Sequence, residues 1–170
     1  MATATKTRLR LEDYVGHSFH PDCDFVDGRL EERNLGELEH SEVQVAIVAW
    51  FLRHAREWSI KVLSEMRVQT SATHFRVADV AIISRDAPRE SILQTPPLIV
   101  IEVLSPEDRR ERYAARIEDY RNMGVAHVWL VDSISREGFD CSAGEWTPVT
   151  EFVIAGSPIG MAIAELDLPV

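Results

Sequence analysis

The chain has 170 residues, 45% hydrophobic and 27% charged, which is the balance of one globular domain with a sizeable core. Its formal net charge of −10 argues against a general cationic coat for nucleic acid, while still allowing a local cationic site. No apolar run has membrane-span length, "MATATKTRLRLEDY" lacks a signal peptide's apolar block, and Cys23 and Cys141 make no disulfide framework, so a cytoplasmic, non-membrane protein is expected. The only lysines are Lys6 and Lys61, which leaves almost no candidate for a catalytic lysine.

No repeat, low-complexity tract or linker interrupts the chain, so residues 1–170 read as a single domain with 1–12 as a flexible lead-in. "HSFHPDCD" (17–24) reads as a loop from its Pro and Asp content. "DFVDGRLEER" places an Asp-Gly turn between two short extended segments, a hairpin signal. A helix is expected from His40 or Ser41, apolar on nearly all sides from Val43 to Leu52 and therefore buried. "IKVLSEMRVQTS", "FRVADVAIISRD" and "PPLIVIEVLS" predict three strands, the last buried on both faces. The next segment predicts a helix: Ser105 as N-cap, Pro106 in the first turn, Glu107 and Asp108 at the positive end of its dipole, Gly124 as its stop. Tyr113, Ile117 and Tyr120 share its inner face. "VAHVWLVD" is a fourth strand, and "EGFDCSAGEWTPVTEF" an edge hairpin. The result is an α/β domain with a mixed sheet, in the order helix, three strands, helix, strand, flanked by β-hairpins.

Two acids stand where strands should be apolar. Glu102 interrupts "LIVIEVL" and Asp79 interrupts "RVADVAII". An isolated buried carboxylate is costly unless it is paired or binds a metal. Strict alternation puts Asp79 on the face of Val77, Ala81 and Ile83, and Glu102 on that of Val100 and Leu104. If the strands are neighbours the acids converge, and converging carboxylates repel unless a proton or cation lies between them. Oxygen ligation suits a hard cation, Mg²⁺ or Mn²⁺. The chain offers Arg116: the helix rises about 15 Å from Pro106 to Arg116, Glu102 lies about 10 Å back along its strand, and antiparallel packing brings the two within about 5 Å in height. A plain Arg116 salt bridge competes with this reading. It leaves one carboxylate without a cation.

"FRVADVAII", "PPLIVIEVLSPEDR", "RIEDYRNMGVAHVWLVD" and "LRLEDY…DFVDGRLEER…H", in this order over residues 8 to 167, resemble the Uma family of bacterial restriction-endonuclease-like proteins within the PD-(D/E)XK nuclease superfamily. The resemblance implies a restriction-endonuclease-like fold and metal-dependent phosphodiester cleavage. Asp79 matches the aspartate of the family's Pro-Asp, and Glu102 the acid of its (D/E)XK. His40 matches a histidine usual at the start of the first helix. Three positions depart from the pattern. Residue 78 is Ala rather than Pro, and Leu104 occupies the lysine position. Arg116, four residues before Tyr120, stands where a helix-borne lysine is often found. Arginine can bind phosphate but cannot give up its proton as a base.

In the expected mechanism Asp79, Glu102 and the backbone carbonyl of Val103 hold Mg²⁺ or Mn²⁺, Arg116 stabilises developing charge, and the substrate is DNA. The alternative is a binding module for nucleic acid or protein that retains the nuclease fold without cleavage. Other candidates carry less. His17, His20 and Cys23 lack a fourth zinc ligand. Glu65 and Gln69 suit a solvated strand face, Tyr113 and Tyr120 suit the core, and Asp132 suits a turn cap. Arg109, Arg110 and Arg112 lie among acids on a solvated face, with Arg109 a possible phosphate guide. A homodimer is expected, because the first helix is apolar on more sides than one sheet face can cover and two-fold symmetry suits double-strand cleavage.

Overall fold

Turn chemistry and strand patterning set most of the architecture. In the computed structural model, which describes residues 8–20, 22–33, 37–105 and 110–166, the first hairpin pairs β1 (Cys23–Val26) with β2 (Arg29–Glu32). Its two-residue loop holds Asp27 at φ 48° and Gly28 at φ 81°, the double left-handed turn that Asp-Gly favours. A short helix, α1 (Leu11–Val15), precedes it, and α2 (Leu38–His54) follows. Then come β3 (Ile60–Gln69), β4 (His74–Ser84), β5 (Ile99–Leu104), α3 (described as Arg110–Met123) and β6 (His127–Asp132). The described chain ends with β7 (Gly138–Asp140), β8 (Thr147–Val149), β9 (Glu151–Val153), β10 (Gly160–Ala162) and a 3₁₀ turn (Ile163–Leu166).

The expected α/β order of helix, three strands, helix and strand is present. The main sheet runs β2-β1-β4-β5-β6-β7-β8, with β3 on the other edge of β4. It is antiparallel except for β5–β6, which are parallel because α3 crosses between them. On one face α2 packs Val43, Ala46, Ile47 and Phe51 against Val80, Ile82, Ile101, Val103 and Trp129, with the β9–β10 hairpin alongside. On the other, α3 packs Tyr113, Ile117 and Tyr120 against Ala81, Val100 and Leu130. Among the described residues no helix is long and apolar enough to cross a membrane.

Three expectations change. The described part of the lead-in is docked: Leu9 N–H donates to Gly28 O at 2.9 Å, and buried Tyr14 stacks on Phe25 and donates its hydroxyl to Cys23 O at 2.8 Å. One aromatic anchor is enough to dock this short segment. Second, α2 begins at Leu38, ahead of Ser41, and is not buried all round. Leu38, Val45 and Leu52, seven residues apart, are 69%, 59% and 56% exposed and form a stripe facing away from the sheet. Third, the C-terminal β9–β10 hairpin is an element that the sequence patterning does not signal. The Gly124 stop holds, with φ 101°. Pro106, Glu107 and Asp108 of the expected N-terminal cap lie outside the described residues, as does Arg109.

Candidate active site

One edge of β4 is shared between two strands. β1 pairs there at His74 and Phe75, and β5 at Val80 to Ile82. In the interval between these ladders side chains take the place of a backbone partner. Val77 N–H donates to Asp24 Oδ1 at 2.9 Å, and Val77 O accepts from Arg116 Nη2 at 2.7 Å. Buried backbone groups must be paired, so a gap in a buried sheet draws polar side chains into it.

Asp79 lies one step beyond the last β4–β5 pair, Val80–Ile101, so the same register sets it opposite Glu102. The ladder opens there, and Val103 N–H donates to Asp79 Oδ2 at 2.8 Å. The acids converge as expected, but not by sharing a face. Ala78 and Ala81, three apart, both pack on the α3 side, while Val80 and Ile82 pack on the α2 side, so the alternation of β4 slips at Asp79. The opposing β3 residue, Glu65, has φ 50°, a strained conformation for a non-glycine residue of the sort that gathers at functional sites.

Asp79 is buried and held from the α2 side. The Arg33 guanidinium binds its Oδ1, and His40 Nε2 lies 3.4 Å from its Oδ2. Burial would raise its pKa, but the His40 hydrogen bond and the Arg33 charge prevail and hold the carboxyl down at about 2. Against its own burial, His40 is raised above the usual imidazole value by Asp79. Arg33 also binds Glu65, and Gln44 Nε2 donates to Glu65 Oε1 at 2.6 Å and to the Asp79 carbonyl at 2.9 Å. Glu65 thus lies at the exposed rim of the site, where Arg33 and Gln44 hold it.

Glu102 is held from the α3 side. Arg116 Nη2 contacts both carboxylate oxygens at 2.8 Å, and the Tyr120 hydroxyl donates to Oε1 at 2.7 Å. Burial pushes this carboxyl up to about 7; Arg116 pulls the other way, and the charge of Asp79 adds to the rise. The Tyr113 hydroxyl donates to the Val103 carbonyl at 3.0 Å. Both tyrosine rings are core, as expected, but their hydroxyls serve the site.

Arg116 reaches Glu102 as expected, and it reaches an acid the sequence reading did not single out. Asp24 of β1 is fully buried and binds Arg116 Nη1, Arg76 Nη1 at 3.1 Å and the Val77 N–H. Arg76 also holds Glu31 at 2.8 Å and Asp119 at 2.7 Å. Arg116 spends its terminal nitrogens on Asp24, Glu102 and the Val77 carbonyl, a placement that orients Glu102. The buried acids Asp24, Asp79 and Glu102 face the arginines Arg33, Arg76 and Arg116. The carboxylate expected to lack a cation has one in Arg33.

Asp79, Glu102 and the Val103 carbonyl form an oxygen-only donor set of the kind a hard divalent cation prefers. They fit such an ion where the groups already on them share or give way: Arg33 covers one Asp79 oxygen, Arg116 and Tyr120 hold the Glu102 oxygens, and Tyr113 donates to the Val103 carbonyl. Among the described residues no group of three or more His, Cys, Asp or Glu side chains is placed to hold a metal ion. Asp132 caps its turn as expected, accepting from Ile134 and Ser135 N–H at 2.8 Å. Arg110 lies over the Trp146 ring and Arg112 reaches the Glu32 carbonyl, both away from the acids.

A solved structure of a "putative nuclease belonging to DUF820 from Anabaena variabilis ATCC 29413" matches 93% of this chain and 97% of its own, with 20% identity and a TM-score of 0.74, so the two share a fold. No curated protein matches the chain. Residues 11–154 match the model of the Uma2 family, described as "Putative restriction endonuclease". With that match spanning most of its length, the chain belongs to the Uma2 family.

Proposed function

We propose that this protein is a metal-dependent endonuclease that hydrolyses DNA phosphodiester bonds in the cytoplasm. The observation that carries the reading is the pair of buried acids, Asp79 and Glu102, at facing positions where the β4–β5 ladder opens, in a family described as a restriction endonuclease. Asp79, Glu102 and the Val103 carbonyl would hold Mg²⁺ or Mn²⁺. When bound, the ion supplies the Lewis-acid charge for phosphodiester hydrolysis. The remaining work is done by this chain. His40 and the Val103 N–H fix the Asp79 carboxylate, while Arg116 and Tyr120 orient Glu102.

The test is nicking of supercoiled DNA with Mn²⁺ by wild type, Asp79→Asn and Glu102→Gln. Both variants should lose cleavage while keeping their circular dichroism spectra. Wild-type-like cleavage by either removes that acid from the mechanism. A specific observation favours the non-catalytic alternative: Asp79 and Glu102 each already have an arginine partner without a metal, and an arginine stands at the lysine position. Wild type that binds DNA but never cleaves it with Mg²⁺ or Mn²⁺ would decide for the binding module. The homodimer belongs to the same proposal, through the stripe of Leu38, Val45 and Leu52. Light scattering at micromolar concentration should give twice the monomer mass, and Val45→Glu should halve it.

A further inference from the structure

The three arginines of the buried cluster are not held alike. Arg76 binds Asp24, Glu31 and Asp119, and Arg116 binds Asp24, Glu102 and the Val77 carbonyl; the side chains of both are 3% exposed. Arg33 differs. It follows β2 directly, its side chain is 14% exposed, and among the described residues the acids it binds are Asp79 and Glu65, the latter itself 47% exposed. Removing Arg76 or Arg116 takes a counter-charge from Asp24, the fully buried acid that the two share. Moving Arg33 outward leaves Asp79 with the Val103 N–H and His40 still on Oδ2 and frees Oδ1.

Oδ1 is also an oxygen that a divalent ion at Asp79 would use. A guanidinium and a divalent ion a few ångströms apart repel strongly where the dielectric is reduced, so the two are alternatives. We propose that Arg33 is the resident counter-cation of Asp79 and that a divalent cation enters the site only by displacing it. The inference rests on the reading of Asp79 and Glu102 as a divalent-cation site. It makes the free protein a weak metal binder by construction: Arg33 stabilises the buried acid when no metal is bound and competes when one arrives. Binding energy for the ion is reduced by whatever it costs to release the guanidinium.

The experiment is a calorimetric Mn²⁺ titration of the full chain without nucleic acid, on wild type, Arg33→Gln, and Arg33→Gln combined with Asp79→Asn. Arg33→Gln should tighten Mn²⁺ binding by about tenfold or more, the scale of one nearby charge in partly screened surroundings. Adding Asp79→Asn should abolish the gain. A folded Arg33→Gln that binds Mn²⁺ no more tightly than wild type overturns the competition and leaves the metal site standing. Absence of binding in all three overturns the metal reading, and the competition with it. Should Arg33→Gln fail to fold, Arg33→Lys keeps a charge beside Asp79 but cannot span Asp79 and Glu65 with a planar fork. Its affinity should lie above wild type, and an affinity equal to or below wild type counts against the proposal.

Discussion

Residues 76–79 and 80–82 are neighbours on β4 and all of them are buried, yet their backbones are satisfied by different means. From Val80 to Ile82 the strand has β5 beside it, and its side chains are free to be apolar on both faces. From Arg76 to Asp79 the edge lies between the β1 and β5 ladders, and carboxylates and guanidinium groups fill the interval. The difference teaches an order of causes. Strands that splay leave buried backbone groups unpaired, polar side chains must answer them, and the charges so introduced require counter-charges. The cluster of three acids and three arginines follows from the splay.

Breaking the polar half should cost most. Asp24→Ala leaves the Val77 N–H without its partner and removes the carboxylate shared by Arg76 and Arg116. Stranding buried charges in this way should lower stability by about 3–5 kcal/mol in urea unfolding. In the backbone-paired half, Ile82→Val removes one methylene from the α2 core and should cost only about 0.5–1.5 kcal/mol. Equal losses for the two would mean that side chains and backbone are interchangeable partners along this edge, and the comparison would collapse.

The next contrast is in pH, to which the apolar half is indifferent. Burial raises Glu102 from 4.5 to about 7 in the folded protein. Between those values the folded state keeps this proton and the unfolded chain has lost it, so rising pH weakens folding through this group. Above about 7 the loss is complete. Asp79, lowered from 3.8 to about 2, acts oppositely: it adds stability as pH rises through that range. The difference in unfolding free energy between wild type and Glu102→Gln should therefore move against wild type from pH 4.5 to 7, by up to about 3 kcal/mol in urea unfolding. A flat difference would place Glu102 as an ordinary ionised partner of Arg116.

The apolar half was also the legible half. Continuous β-branched runs announce β4 and β5, and Asp-Gly announces the first hairpin, because these signals are local. Asp79 and Glu102 were readable for the same reason: each breaks an apolar run. Asp24 breaks "CDFV" in the same manner, and Arg76 breaks "FRVADV", so both carried a signal that could have been used. Arg33 carried none. It lies in a charged stretch, "EERN", and only the fold brings it 46 residues along the chain to Asp79. The slip of β4 at Asp79 was equally hidden, since strict alternation is what sequence patterning assumes. Charge balance in a buried site is a tertiary sum, and one unseen arginine cancels the negative charge that the others leave.

The finest test of the contrast lies within a single residue. The Tyr120 ring packs in the apolar α3 core, while its hydroxyl donates to Glu102 Oε1 at 2.7 Å. Tyr120→Phe keeps the ring and deletes only the polar contribution. Glu102 retains Arg116 on both oxygens, so the loss should be small, about 1 kcal/mol, the net worth of one hydrogen bond. Its sharper signature is in titration. The hydroxyl lowers the Glu102 pKa, so deleting it should carry the Glu102-dependent stability loss to higher pH. Ile82→Val should leave that profile where it is. Melting curves of wild type, Tyr120→Phe and Ile82→Val across pH 4 to 9 separate the two cases. A Tyr120→Phe profile superimposable on that of Ile82→Val would show the hydroxyl to be an incidental neighbour of the acid, and Tyr120 would return wholly to the core.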